Sequence, residues 1–269
     1  MPSTSLASLP ELLDAVLGLG QEAANAILTV YATDFIVDQK ADTSPLTEAD
    51  RAAHGIITQG LARLTPQIPV LSEESPAAQH EFATRKRWSD LWLVDPLDGT
   101  REFVNRNGEF TINIALIRAH RPVLGLVLAP ALDLAYGGVS GNGAWRRQRG
   151  ETLPIAVQQP ARSRPVVAGS RSHRGASLDA LLARLGPHEL MSVGSALKLC
   201  LVAEGTADLY PRLGDTFEWD TAAGQAVLEA AGGAVVDLTG QPLRYNERES
   251  LRNPHFLACG DSARRWWMV

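Results

Sequence analysis

The chain has little cysteine, no long uninterrupted apolar run and no excess of positive charge. Only two cysteines occur among 269 residues, Cys200 in a helical pattern and Cys259 in a strand pattern, so both are predicted to be reduced core residues. The longest apolar stretch is interrupted by Pro130 and Asp133 and is too short to span a bilayer. A net charge of −5 provides no basic field for a nucleic-acid polymer.

The two ends of the sequence support two further expectations. The first residues lack the basic segment and apolar core of a secretion signal, so a cytoplasmic protein is expected, with peripheral contact at the inner face of the membrane as the open alternative. The closing "RRWWMV" places two tryptophans together, and the interpretation favoured here is a core position over a partner or membrane surface. A monomer and a homodimer both stay open.

The order of hydrophobic patterns indicates two halves. Ser8 with Glu11 forms a capping-box pattern before a helical repeat, and Thr47 with Asp50 repeats the arrangement before a second helix. Short strand-like segments then follow one another, which predicts an antiparallel sheet with helices on one face. After Gln159 strands and helices alternate. We therefore expect an N-terminal α+β half over 1–159 and a C-terminal α/β half over 160–269.

Acidic residues stand at the ends of several predicted elements. The apolar strand "LWLVD" ends in Asp95, and Asp98 follows three residues later, directly before Gly99 and Thr100. Asp-Pro and Asp-Gly are also ordinary turn signals, so this stretch alone favours a turn. Further carboxylates begin or end other elements: Asp50, Glu73, Glu74 and Asp220. If they converge, like charges would raise one another's pKa unless cations neutralise them.

The type of donor indicates which cation would suit such a cluster. Carboxylate oxygens without histidine or cysteine favour a hard ion such as Mg²⁺. Paired Mg²⁺ ions suit in-line displacement at phosphorus, and free N–H groups at Gly99, Thr100 and the Gly194-Ser195 pair could receive phosphate oxygens. Asp50 and Asp220 each have a simpler explanation as helix-start acids, and Lys198 could be a solvated helix residue.

Several separated motifs together resemble one family. "KADTSPLTEAD", "SEES", "DPLDGT" and "WDTAAG" stand in the order of the lithium-sensitive, magnesium-dependent phosphomonoesterases related to inositol monophosphatase. The stretch "VGSALKLCLVAEGTADLYPRLG" looks closest to its branch of bacterial 3'(2'),5'-bisphosphate nucleotidases. The resemblance covers nearly the whole chain. It implies an α/β (α+β) fold, a layered αβαβα sandwich of the inositol monophosphatase / sugar phosphatase type.

The resemblance also implies a reaction and its cofactor. Metal-activated water would hydrolyse the 3'-phosphate of adenosine 3',5'-bisphosphate to give AMP and phosphate, with action on 3'-phosphoadenylyl sulfate and a role in sulfur assimilation and nucleotide recycling. Two or three Mg²⁺ ions per site and inhibition by lithium are expected on the same ground. The alternatives are an inositol monophosphatase or broad-specificity sugar phosphatase and, in another class, a non-catalytic nucleotide or metal sensor.

Individual roles follow from the matched positions. The implied ligands of the first metal are Glu73, Asp95 and the Leu97 carbonyl, and those of the second are Asp95, Asp98 and Asp220. Asp50 and Thr100 match residues that orient and polarise the attacking water, and Glu74 matches a supporting acid. The expected substrate contacts are Glu73, Leu97, Asp98, Gly99, Thr100, Ser170, His173, Ser195, Lys198, Arg212 and Asp220.

Overall fold

The computed structural model describes residues 8–35, 37–39, 45–76, 80–170 and 176–269. The helices are α1 Leu9–Tyr31, α2 Glu48–Leu64, α3 Phe82–Arg85, α4 Thr100–Val104, α5 Ala176–Leu185, α6 Leu197–Ala203 and α7 Glu218–Ala230. The strands are β1 Val37–Gln39, β2 Pro45–Thr47, β3 Val70–Ser72, β4 Asp90–Asp98, β5 Thr111–Arg118, β6 Arg121–Ala129, β7 Leu134–Val139, β8 Gly143–Gln148, β9 Glu151–Ile155, β10 Val166–Ser170, β11 Glu189–Val193, β12 Leu209–Arg212, β13 Ala234–Asp237 and β14 Phe256–Cys259.

Both predicted helix starts are confirmed. The carboxylate of Glu11 accepts hydrogen bonds from the backbone N–H of Ser8 at 2.8 Å and from its hydroxyl at 2.9 Å. Asp50 accepts the equivalent pair from Thr47, at 2.8 Å from the backbone and 2.6 Å from the hydroxyl. These bonds satisfy donors that a helix start otherwise leaves without partners.

The first half builds a seven-stranded sheet in the order β3-β4-β5-β6-β7-β8-β9. The sequence-based expectation of an antiparallel sheet with helices on one face is wrong in two respects. Strand β3 runs parallel to β4. The second face is covered by α7, which packs across β4, β5, β6 and β7, while α1 and α2 cover the first. Strand β4 is therefore apolar on both faces, as doubly covered strands are.

The second half forms a five-stranded sheet in the order β11-β10-β12-β14-β13. Its strands alternate between two packing layers, as in β14, where Phe256 and Ala258 join the core beneath α6 and α7. Leu257 and Cys259 point to the opposite layer with Leu181 of α5. Because successive side chains of a strand point to opposite faces, helices pack on both faces of this sheet.

The layers stack as helices, sheet, helices, sheet and helix, so the predicted αβαβα sandwich is confirmed. Cys200 and Cys259 are buried and unoxidised, as expected. Trp266 is 1% exposed and belongs to the outer core of the second half, with Trp267 packed against it. The division between residues 159 and 160 stays a prediction. No helix in the described ranges combines the length and apolar character needed to cross a membrane.

Candidate active site

The two aspartates of the "DPLDGT" motif lie at the carboxyl end of β4. The pairing with β5 shifts register between Asp95 and Asp98, so the strand is irregular there. Asp95 is 2% exposed, and its Oδ1 accepts the backbone N–H of Leu97 at 3.0 Å. Irregularities of this kind change the direction of side chains at a strand end. The motif therefore ends the strand and presents its acids at one edge of the sheet.

Gly99 and Thr100 form the turn from β4 into α4. Gly99 has φ +86°, a left-handed conformation that glycine adopts at little cost. The hydroxyl of Thr100 lies 3.3 Å from the carbonyl oxygen of Leu97 and donates to it. This contact joins a predicted water-orienting group to a predicted metal ligand.

Asp220 reaches the same region from the start of α7. Its Oδ2 accepts the backbone N–H of Phe217 at 2.8 Å, which is the helix-start contact that the sequence allowed. Burial and then the neighbouring carboxylate of Asp98 raise the pKa of Asp220 well above its usual value, and Glu73 adds to the effect. The pKa of Asp98 is also raised, chiefly by burial, while Lys198 opposes the shift.

This donor set fits a hard cation. The carboxylates of Asp98 and Glu73 both repel that of Asp220, and a cation would stabilise the charged forms of such a group. Over the ranges that the structure describes, no three or more histidine, cysteine, aspartate or glutamate side chains are grouped closely enough to hold an ion. The ligand roles inferred from the resemblance stay predictions.

Some of the predicted site residues line one pocket, and others do not. A cavity of about 230 Å³ is lined by seven of the predicted residues: Asp98, Gly99, Thr100, Ser195, Lys198, Arg212 and Asp220. Asp50, Glu73, Glu74, Asp95 and Leu97 do not line it. Ser170 ends β10, and His173 lies outside the described residues. Asp50 is 1% exposed and engaged with Thr47, as its helix-start explanation predicts.

Cationic and hydroxyl groups line the same pocket beside Asp98. Within the described part of the chain, Ser195 Oγ and Arg212 Nε are buried without a hydrogen-bond partner. Lys198 is 5% exposed, and its ammonium donates to the carbonyl oxygens of Val193 and Ser195. Burial lowers the pKa of Lys198 to about 8, and Asp98 opposes this, so the amine is mainly charged at neutral pH. Buried polar atoms without partners are expected where a ligand supplies the missing bonds.

The pocket includes residues that the sequence analysis missed: Arg101, Glu102, Tyr210, Thr216 and Thr221. Glu102 stands in the first turn of α4, only four residues after Asp98, and is 8% exposed. Its closeness in sequence to the "DPLDGT" motif was the one signal that could have identified it as a pocket residue. An acid in the first turn of a helix is common without any function, so the pattern alone did not select it.

Comparison with known proteins identifies relatives along nearly the whole chain. A profile of the Inositol monophosphatase family matches residues 8–261. The 3'(2'),5'-bisphosphate nucleotidase CysQ of Escherichia coli is 51% identical over 247 residues, covering 91% of this chain and 98% of the relative. CysQ of Buchnera aphidicola is 43% identical and covers 92% and 93%.

Solved structures agree with the sequence matches. The crystal structure of CysQ from Bacteroides thetaiotaomicron superposes with a TM-score of 0.82 at 39% identity, covering 93% of this chain and 97% of that one. Inositol monophosphatase from Anabaena superposes with a TM-score of 0.75 at 26% identity, covering 97% and 96%.

Proposed function

The chain belongs to the inositol monophosphatase family, and from this premise we propose that it hydrolyses the 3'-phosphate of adenosine 3',5'-bisphosphate to AMP and phosphate. The sulfated analogue, 3'-phosphoadenylyl sulfate, is proposed as a second substrate, which connects the enzyme to sulfur assimilation. Phosphatases of this family generally depend on a metal, and Mg²⁺ is the proposed ion here because every predicted side-chain ligand is a carboxylate.

The observation that carries the proposal is the mixed lining of the pocket. Besides the carboxylates Asp98 and Asp220, the pocket is lined by Ser195, Lys198 and Arg212. An ester with a single phosphate needs only the proposed metal ligands. A nucleotide with phosphates on both the 3' and 5' oxygens offers a second anion for the hydroxyl and the two cations. Charge-assisted hydrogen bonds of this kind are among the strong ones in proteins.

Metal ligation is assigned to the carboxylates and the one carbonyl that the family pattern matches. Glu73, Asp95, Asp98, Asp220 and the Leu97 carbonyl would hold two or three Mg²⁺ ions. A bound metal supplies Lewis-acid stabilisation of phosphate charge and lowers the pKa of water.

The protein's own groups would position the attacking water. The Thr100 hydroxyl donates a hydrogen bond to the Leu97 carbonyl oxygen, so its own oxygen remains able to accept a hydrogen bond from water. Asp50 would be the acceptor for a water proton, with Glu74 as the supporting acid. The backbone N–H groups of Gly99 and Thr100 would bind phosphate oxygens at the start of α4.

The test is phosphate release measured side by side from adenosine 3',5'-bisphosphate and inositol 1-phosphate. We expect release that requires Mg²⁺, favours the bisphosphate, and falls by about 10²- to 10³-fold in Asp98→Asn, because a group that helps stabilise transition-state charge is lost. Asp133→Asn is the matched control, since Asp133 is exposed and does not line the pocket. Preference for inositol 1-phosphate would contradict the proposed substrate, and binding without release would indicate a sensor.

A further inference from the structure

Glu102 and Glu109 of the first half lie directly against the Gly194-Ser195 turn that precedes α6. The backbone N–H of Gly194 donates to Oε2 of Glu109 at 2.8 Å, across 85 residues of sequence. Glu109 stands just before β5, and Gly194 just before Ser195. This hydrogen bond therefore joins the loop that follows the metal-binding motif to the loop that is proposed to bind substrate.

The packing at this junction leaves no free space. A Cβ atom built on Gly194 would lie 2.8 Å from the Glu109 carbonyl oxygen and 2.9 Å from Cγ of Glu102. A Cβ on Gly99 would lie 3.3 Å from the same carbonyl and 3.4 Å from Cβ of Ser195. The two glycines thus bring the turns of both halves into contact around Glu109.

Ser195 has a backbone conformation that needs outside support. Its φ is +47°, in the left-handed region, which serine adopts only at a cost in energy. The residue before it is Gly194, whose N–H is held by Glu109. Because a strained residue persists only when its surroundings fix it, the Glu109 carboxylate is well placed to maintain this turn.

The turn determines where two substrate-facing groups lie. The Ser195 hydroxyl lines the pocket. The Lys198 ammonium donates to the Ser195 carbonyl oxygen and lies 5.5 Å from the centre of the Tyr210 ring. The charged groups around that ammonium are the carboxylates of Asp98, Glu102 and Glu109 and the guanidinium of Arg212. A shift of the turn would therefore move both the hydroxyl and the ammonium.

We propose that Glu109 is a positioning residue for substrate specificity, holding the Gly194-Ser195 turn so that Ser195 and Lys198 meet the second phosphate of the substrate. The role is carried by the hydrogen bond to Gly194. It rests on the proposed bisphosphate activity, which Glu109 itself does not perform.

The experiment compares Glu109→Ala with Glu109→Gln in steady-state kinetics. Adenosine 3',5'-bisphosphate and adenosine 3'-monophosphate are the two substrates, because only the first carries the second phosphate. For Glu109→Ala we expect the KM for the bisphosphate to rise about 10- to 100-fold, the range for losing a hydrogen bond to a charged group, with kcat nearly unchanged. Kinetics with the monophosphate should change by less than about 3-fold.

The glutamine variant separates the hydrogen bond from the charge. Its amide oxygen can still accept from Gly194, so Glu109→Gln should keep the wild-type KM within about 3-fold. Glu151→Ala, at an exposed strand end, is the control for replacing a glutamate. Equal losses in the alanine and glutamine variants, or equal losses on both substrates, would overturn the positioning role.

Crystal structures of the two variants give a readout independent of activity. The turn at Gly194 and Ser195 should move in Glu109→Ala and keep its left-handed conformation in Glu109→Gln. An unchanged turn in the alanine variant overturns the inference whatever the substrate proves to be. If wild type fails to hydrolyse the bisphosphate, the proposed function falls, and these structures still decide whether Glu109 holds the turn.

Discussion

Lys198 is a charged residue that is almost fully buried, with only 5% of its surface exposed. Two backbone carbonyl oxygens accept from the ammonium, so its position is fixed before a substrate arrives. At neutral pH the amine remains mainly charged although burial lowers its pKa to about 8. A preorganised cation loses little conformational entropy on binding an anion, which favours a substrate that places a second phosphate next to Lys198.

Replacing this single side chain should therefore change substrate preference. In Lys198→Met, which keeps the length but not the charge, we expect kcat/KM for adenosine 3',5'-bisphosphate to fall about 10- to 100-fold. Hydrolysis of inositol 1-phosphate should stay within about 3-fold, because that ester has no second phosphate. Initial-rate kinetics on both esters provide the measurement, with the exposed Lys86→Met as control. A parallel loss on both would assign Lys198 to the structure rather than to specificity.

At the scale of elements, the central helix α7 lies unusually close to the large sheet. A Cβ on Gly125 of β6 would come 2.3 Å from the carbonyl oxygen of Ala223 and 2.7 Å from Cβ of Ala226. The helix that carries Asp220 thus packs directly on the strand backbone. Gly18 of α1 is the opposite case, since its added methyl would meet nothing within 4 Å.

The same substitution should have opposite effects at these two glycines. Gly125→Ala should destabilise the fold by roughly 1–3 kcal/mol or more, because backbone atoms of α7 must move. Gly18→Ala should stabilise it by about 1 kcal/mol, because alanine is the better helix former at an exposed position. Urea unfolding of both variants beside wild type tests the pair. A destabilised Gly18→Ala or an unaffected Gly125→Ala would contradict this description of the packing.

The whole molecule brings its active-site pocket together from both halves. The first half supplies Asp98, and the second supplies Asp220 and Lys198. A single core runs from β4, β5 and β6 through α6 and α7 to the second sheet. Burying carboxylates at this junction opposes folding when no cation balances them, because burial and repulsion both disfavour the charged forms. We therefore expect the stability of the fold to depend on metal binding.

The effect of Asp98→Asn on the melting temperature should change sign when metal is added. In chelator, Asp98→Asn should unfold at a higher temperature than wild type, because a partly buried charge that repels Asp220 is gone. With Mg²⁺ at 100 times its Kd, wild type should gain about 2.7 kcal/mol, and the variant much less. Thermal melts in both conditions test this, with Asp133→Asn as the exposed control. A lower melting temperature of Asp98→Asn in chelator would mean that pairing with Lys198 outweighs the repulsion.

Local patterns in the sequence were enough to predict much of this protein. The two helix starts at Ser8 and Thr47 were predictable because capping joins residues only three apart. The layered fold and the pocket residues Asp98, Gly99, Thr100, Ser195, Lys198, Arg212 and Asp220 came from motifs in the order of a known family. Such motifs identify chemistry because they preserve the residue types and spacing that a reaction requires.

Other features depend on segments far apart in the chain, and only the tertiary structure decided them. The parallel pairing of β3 with β4 and the cover that α7 gives to the first sheet left no local signal. In the sequence Glu109 looks like an ordinary loop residue, and only the folded chain shows that it accepts a hydrogen bond from Gly194. Hydrophobic periodicity predicts that a face is buried but does not identify the element that covers it. That element is determined by the packing of segments far apart in the chain.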